Sequence, residues 1–169
     1  MLNLSEAETL WPVVPDEVEK TTRDLLERAC EMDLTIATAE SCTGGMVASL
    51  LTDVPGASHA FERGFITYTD EAKADMLGIP LQLIKREGAV SHAVAVAMAE
   101  GALARSDANV AVSITGFAGH GDEPGLVHFA CAREGRETRH REEHFGDIGR
   151  GKIRVQCLRV ATEMLAEML

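Results

Sequence analysis

Leu34-Thr35-Ile36-Ala37-Thr38-Ala39-Glu40-Ser41-Cys42-Thr43-Gly44-Gly45-Met46-Val47-Ala48-Ser49-Leu50-Leu51 sets the architecture of the chain. Residues 34–38 combine apolar side chains with β-branched threonines and read as a short buried strand. Residues 46–51 read as a helix that stops before Pro55. A strand that turns through small residues into a helix is an α/β signature, and it leaves backbone N–H groups unpaired above the turn. Such a turn suits an anion or an oxyanion, with Ser41 at its mouth. On position alone the serine and threonine also read as helix N-caps, with Gly44-Gly45 relieving crowding. The turn is not a G-x-S-x-G elbow, which needs a glycine two positions before the serine, nor a P-loop, which needs Gly-Lys-Ser/Thr.

Upstream, Val18, Leu25, Leu26, Ala29 and Met32 recur at helical spacing, with Glu17, Glu19, Lys20, Arg23 and Glu27 mostly opposite. This predicts an amphipathic helix lying on a sheet. Residues 1–14, with Trp11 and Pro12, keep no period and read as an N-terminal arm to a domain spanning 15–169. Downstream, the pattern predicts a strand over 65–69 carrying Tyr68, a helix over 71–77 carrying Lys73, and a short helix near 81–87. Ser91 caps an alanine-rich helix to about Arg105, and 109–115 reads as a buried strand. A turn-rich loop at 116–125, a hairpin from 126–133 and 137–145, and a terminal helix from Arg150 complete the chain. That order, with one late hairpin, predicts a single α/β domain, a three-layer α/β/α sandwich around a mixed central sheet.

With 169 residues, 46% of them hydrophobic, the chain can bury one substantial core. Its 16 basic and 27 acidic residues leave a net charge of −11, which excludes general attraction to nucleic acid or anionic lipid. No apolar run approaches the ~20 residues of a membrane span. The amino terminus lacks the basic-then-apolar order of a signal peptide, so a cytoplasmic protein is expected. Cys30, Cys42, Cys131 and Cys157 are far apart, without C-x-x-C or zinc spacing, and read as free thiols.

Several separated segments carry a resemblance. They are T-A-E-S-C-T-G-G at 38–45, F-E-R-G-F-I-T-Y at 61–68 with E-A-K at 71–73, G-A-V-S at 88–91 and S-I-T-G-F-A-G at 113–119. In this order, and over roughly residues 15 to 168, the chain resembles the C-terminal domain family of the CinA competence/damage-inducible proteins. Characterised members of that family are nicotinamide-nucleotide amidases. The resemblance therefore implies an amidohydrolase that converts nicotinamide mononucleotide to nicotinate mononucleotide and ammonia. It further implies a small-molecule nucleotide as partner, no metal or organic cofactor, and a homo-oligomer.

A serine hydroxyl is a weak nucleophile until a neighbouring base takes its proton. No histidine falls inside the matching segments, so Lys73 is the expected base for Ser41. Burial or a nearby positive charge would have to depress its pKa. The bland alternative is a solvated lysine beside Asp70, Glu71 and Asp75. Tyr68, the single tyrosine, is expected either to relay a proton in this pair or to sit at a sheet edge. Thr43, Gly44 and Gly45 would offer backbone N–H groups to an oxyanion or a phosphate, and the flanking Glu40 and Cys42 are counted with them as substrate-binding. Cys42 is also a rival nucleophile, expected to pack inward if Ser41 faces the cleft. Thr115 and Gly116 would form the opposite wall at a strand's carboxyl end.

Arg150 and Arg154 resemble the family's Gly-Asp-Arg approach to the last helix, although Ile148 and Gly149 intervene after Gly146-Asp147. Arg154 is assigned to the substrate phosphate and Arg150 to the surface. His120, His128, His140 and His144 lie among charged, turn-rich residues and read as solvated. The family commonly reads G-x-A-G-P-x-G-G and then K-P-x-G, whereas the loop here lacks the first proline and carries Glu123 where a lysine would precede Pro124. An acid there would oppose a phosphate. That departure motivates the alternative of a non-catalytic nucleotide- or partner-binding protein, and a third possibility is a hydrolase of another small amide or ester.

Overall fold

The computed structural model describes residues 14–119 and 122–169. The expected N-terminal arm, Trp11 included, lies outside the described residues apart from Val14, as does His120. Strand β1 (Ile36–Glu40) lies between β2 (Phe61–Ile66) and β3 (Val110–Gly116), both parallel to it. Strands β4 (Leu126–Arg133) and β5 (Arg139–His144) extend the sheet antiparallel, giving the order β2-β1-β3-β4-β5. Helices α1 (Asp16–Glu31), α2 (Met46–Thr52) and α6 (Arg150–Met168) cover one face. Helices α3 (Asp70–Leu77), α4 (Leu81–Glu87) and α5 (His92–Ala104) cover the other. The result is one α/β domain with a mixed five-stranded sheet between helical layers.

The period-two alternation of a strand distributes the core. Ile36 enters the cluster with Leu25, Leu26, Ile153 and Leu158 of α1 and α6. Ala37 and Ala39 enter the cluster with Val94 and Met98 of α5. Burying a side chain such as Leu25 or Leu26 stabilises the fold by about 1.5–3 kcal/mol. The inward stripe of α1 also includes Val18, Thr22 and Ala29, while Asp16, Glu17 and Glu19 in its first turn and Arg28 in its last suit the helix dipole. Met32, placed on that stripe by its spacing, caps the helix instead and is exposed. The small residues of α5 permit close packing, and a Cβ on Gly101 would collide with the Leu77 carbonyl of α3.

The second strand departs from the sequence expectation. It runs from Phe61 to Ile66, so Tyr68 lies in the connection to α3 rather than in a strand at 65–69. Glu62 and Arg63 hide it from an apolar pattern, because β2 is the sheet edge and its outer groups meet water. Its register on β1, ending at Glu40↔Ile66, is extended by Thr67 N–H donating to the Glu40 carbonyl. Thr69 then caps α3 by accepting from Ala72 N–H. β1 itself runs two residues later than expected, because Glu40 stays paired in the sheet.

From β1 the chain moves to one side for β2 and later returns to the other side for β3. Strand order reverses at that point, and ligands of α/β folds sit in the crevice outside the carboxyl ends there. On β3, Ser113 Oγ donates to the Ala95 carbonyl at 2.6 Å and Thr115 Oγ1 to the Ala89 carbonyl at 2.8 Å. These bonds bring the 88–91 segment over the crevice.

Candidate active site

Ser41 follows the last residue of β1, and its N–H donates to the Ile114 carbonyl of β3 at 3.0 Å. The residue is 9% exposed. Lys73 arrives from the first turn of α3, and its Nζ lies 3.3 Å from Ser41 Oγ and 3.0 Å from the Thr67 carbonyl oxygen. Lysines are almost never fully buried unless paired. Lys73 is 1% exposed, and its bonds to Ser41 and Thr67 are to uncharged oxygens. Desolvation lowers its pKa below the ordinary 10.5, opposed in part by Asp70 and Cys42. As an ammonium the group donates to the hydroxyl; as a free amine it presents a lone pair to the same hydroxyl proton.

Glu40 departs from its expected role. Its side chain is fully buried and turns into the protein, where Oε2 accepts from Gly45 and Val47 N–H at 3.1 Å each and Oε1 from Ala48 N–H at 2.8 Å. The anion at the start of α2 is therefore the protein's own carboxylate. Gly44 N–H is engaged as well, donating to the Ser41 carbonyl at 3.1 Å. Gly44 and Gly45 thus act through shape rather than as free donors, both holding positive φ, 59° and 97°. Among the described residues, the turn amide of Thr43 donates to no protein acceptor, whereas that of Cys42 is hydrogen-bonded to its own sulfur.

The cleft above Ser41 has a volume of about 230 Å³, with Lys73, Tyr68, Thr115, Gly116, Phe117 and Arg150 in its walls. Larger depressions of about 500 and 550 Å³ lie elsewhere, around Arg139–Glu167 and around Ser106–Asn109, without a comparable pair of reactive groups. Gly116 leaves no room for a side chain, since a Cβ would sit 2.7 Å from the Leu126 carbonyl oxygen and 2.9 Å from Val127 Cα. Ala89 and Val90 of the G-A-V-S segment also line the cleft. Tyr68 is 64% exposed at its mouth, and its hydroxyl accepts from Arg150 Nη2 at 3.5 Å rather than from Lys73 or Ser41.

Arg150 is exposed, as expected, and the two arginines stand at different depths. Arg150 lines the cleft, whereas Arg154, one helical turn deeper, donates from Nη2 to the Thr43 carbonyl at 2.8 Å and so buttresses the turn from behind. The i, i+4 spacing shows that both share a face of α6 but does not show which one lines the cleft. Cys42 is buried and pairs with Cys157 of α6, a hydrogen bond that lowers the Cys42 thiol pKa while burial raises that of Cys157. Glu123 also turns away from the cleft, its carboxylate meeting His144 Nδ1 at 2.7 Å. His128 is buried and bonded to His140 rather than solvated. Among the described residues, no group of three or more His, Cys, Asp or Glu side chains converges on a metal position.

The family model of the CinA C-terminal domain matches residues 18–169. The chain belongs to the CinA C-terminal domain family. Among its relatives is a CinA-like protein of Akkermansia muciniphila, 56% identical over 114 residues, which are 64% of this chain and 28% of that protein. The chain thus spans only about a quarter of such longer CinA relatives. A nicotinamide-nucleotide amidohydrolase of Escherichia coli, PncC, is nearer in size and is 47% identical over 137 residues, 78% of this chain and 82% of that one. The crystal structure of a competence/damage inducible protein from Agrobacterium tumefaciens superposes with a TM-score of 0.90 at 42% identity, covering 94% of this chain and 99% of that one. A CinA superfamily protein of Escherichia coli superposes over the full length of both chains with a TM-score of 0.85 at 33% identity.

Proposed function

We propose that this CinA-family chain is an amidohydrolase that cleaves the carboxamide of a nicotinamide nucleotide with Ser41 as nucleophile and Lys73 as general base. The observation that carries the reading is Lys73 Nζ, desolvated and 3.3 Å from Ser41 Oγ. A deprotonated amine at that distance can take the hydroxyl proton as the oxygen attacks the carboxamide carbon. The negative charge that then develops on the carbonyl oxygen needs donors, and the amide of Thr43 is the one the turn leaves without an acceptor. Lys73 returns the proton to the departing nitrogen, ammonia leaves, and water releases nicotinate nucleotide from the acyl-serine.

The cleft supports an amide at one end of an anionic substrate. Its 230 Å³ falls below the about 300–1,000 Å³ of clefts that enclose a whole drug-sized ligand, so it receives the ring and carboxamide while the phosphate extends outward. Arg150 and the Tyr68 hydroxyl at the mouth offer the phosphate a cation and a donor. Tyr68 acts in this reading as a binding group, with a proton-relay role open to it only if it turns inward. The acidic loop does not oppose the phosphate, because Glu123 faces His144. The family reading also implies a cytoplasmic homo-oligomer; a solution mass equal to the 18.2 kDa of one chain would remove the second of these attributes.

The test is ammonia release from nicotinamide mononucleotide by the wild-type protein and by Ser41→Ala. Turnover by wild type and none by the variant is the expected result. Equal rates in the two would remove Ser41 from the mechanism.

A further inference from the structure

Side chains along β3 alternate between the two faces of the sheet, and the alternation continues past the end of the strand. Val110, Val112 and Ile114 enter the cluster with α1 and α6, and Ala118 beyond the strand does too. Ala111 enters the cluster with α5, Ser113 Oγ bonds the Ala95 carbonyl, and Thr115 Oγ1 bonds the Ala89 carbonyl. Phe117 therefore falls on the face of Thr115, the one from which Lys73 of α3 approaches Ser41. Its backbone is held in both directions, the N–H donating to the Leu126 carbonyl at 2.9 Å and the carbonyl accepting from Gly125 N–H at 2.8 Å. Phe117 is half-buried, lines the cleft, and joins none of the hydrophobic clusters formed by the described residues. The cleft wall thus carries an aromatic surface that the core does not use.

The charges beside it are of one sign. Among the described residues the lining holds no carboxylate, and its charged side chains are those of Lys73 and Arg150. Glu40 is committed to the amides of α2, and Glu123 faces His144. The N-substituted ring of a nicotinamide nucleotide bears a fixed positive charge, which this lining cannot meet with an ion pair. The face of an aromatic ring carries negative quadrupole density and attracts a cation without needing a counter-charge. Tyr68 stands at the mouth, 64% exposed and beside Arg150, so Phe117 is the aromatic left to the interior of the cleft. The carboxamide carbon is bonded directly to the ring. A substrate whose carbonyl reaches Ser41 Oγ therefore brings its ring into the same volume of about 230 Å³.

We propose that Phe117 selects the charge of the substrate ring: its aromatic face holds the cationic pyridinium while Ser41 meets the carboxamide, so the site prefers N-substituted pyridinium carboxamides to neutral cyclic ones. This rests on the nicotinamide-nucleotide reading and adds to it the group that recognises the ring. Arg150 is then left to the phosphate, and the aliphatic Ala89 and Val90 bound the ring space without distinguishing a charged ring from a neutral one.

The experiment measures binding by calorimetry in the Ser41→Ala protein, so that neither probe is consumed. The probes are nicotinamide mononucleotide and its reduced 1,4-dihydro form, which keeps the carboxamide, ribose and phosphate on an uncharged ring. Adding Phe117→Leu is expected to weaken the first about 5–30-fold, the size of one desolvated cation–aromatic contact, and the second less than about threefold. Phe117→Tyr keeps the aromatic face and should bind both as the parent does. Equal weakening of the two ligands by Phe117→Leu makes the residue a packing group and overturns the proposal, as does an unchanged affinity for the cationic nucleotide. If Phe117→Leu loses its cooperative thermal melt, Phe117→Met supplies the same comparison. Ammonia release by the protein with Ser41 intact separates the two levels of failure. Turnover of nicotinamide mononucleotide without discrimination by Phe117 sinks this proposal alone, whereas binding of neither nucleotide and no turnover sink the amidase reading and this one with it.

Discussion

Lys73→Met removes the amine while keeping a side chain of similar length in a site only 1% exposed. A general base contributes about 10²–10⁴-fold to rate, which at 1.36 kcal/mol per decade corresponds to about 2.7–5.4 kcal/mol of barrier. In the proposed reaction the substrate meets the cleft walls rather than the amine, so kcat should fall by that factor with KM within about threefold of wild type. Stability should move little: two hydrogen bonds, to Ser41 Oγ and the Thr67 carbonyl, are lost at about 1 kcal/mol each, while a desolvated ammonium is replaced by an apolar group. The pH behaviour separates this from a packing effect. Because the folded pKa is depressed below 10.5, the unfolded chain binds the extra proton between the two values, and native stability rises with pH across that window. The rate should likewise rise with pH through the folded pKa, as the amine becomes free. Ammonia release in single-substrate assays, with thermal melts from pH 7 to 10, measures both. A variant that retains kcat within threefold, or that keeps the wild-type pH dependence, would refute Lys73 as the base.

Glu40→Ala leaves the N–H groups of Gly45, Val47 and Ala48 without their acceptor, and urea unfolding should show a loss of about 3–5 kcal/mol, as for other buried charged partners. Arg150→Ala should raise KM by about 10–100-fold with little change in kcat, the size of one charge-assisted phosphate contact of about 1.5–3 kcal/mol. Arg154→Ala should instead lower stability, since it supports the Thr43 carbonyl from below the turn. Cys42→Ala should keep turnover within a few-fold; a loss beyond about a hundredfold would make the thiol, not the Ser41 hydroxyl, the attacking group.

Most elements are legible in the chain because their causes are local. The spacing of Val18, Leu25, Leu26 and Ala29 marks α1, and Ser91 is the cap of α5, accepting from Val94 N–H. The Gly-Gly turn after β1 and the late hairpin follow from backbone needs and alternation. The edge strand β2 was less legible: Phe61-Glu62-Arg63-Gly64 carries no apolar alternation, and only its pairing with β1 makes it a strand. The same holds for Glu40, whose charge reads as a ligand group until three amides of α2 are seen around it.

By itself, then, the sequence determined the succession of helices and strands, the serine turn and the set of residues from which a site could be drawn. Periodicity and turn chemistry act over a few residues and need no partner. Tertiary structure alone decided which of those residues meet. Lys73 and Ser41 are 32 positions apart and approach only because β2 runs parallel to β1 and returns the chain to the same end of the sheet. Arg150 and Arg154 are chemically alike, and only the packing of α6 against the turn puts one in the cleft lining and the other on the Thr43 carbonyl. The histidines join because α5, β4 and β5 pack side by side, a long-range arrangement that no local pattern specifies.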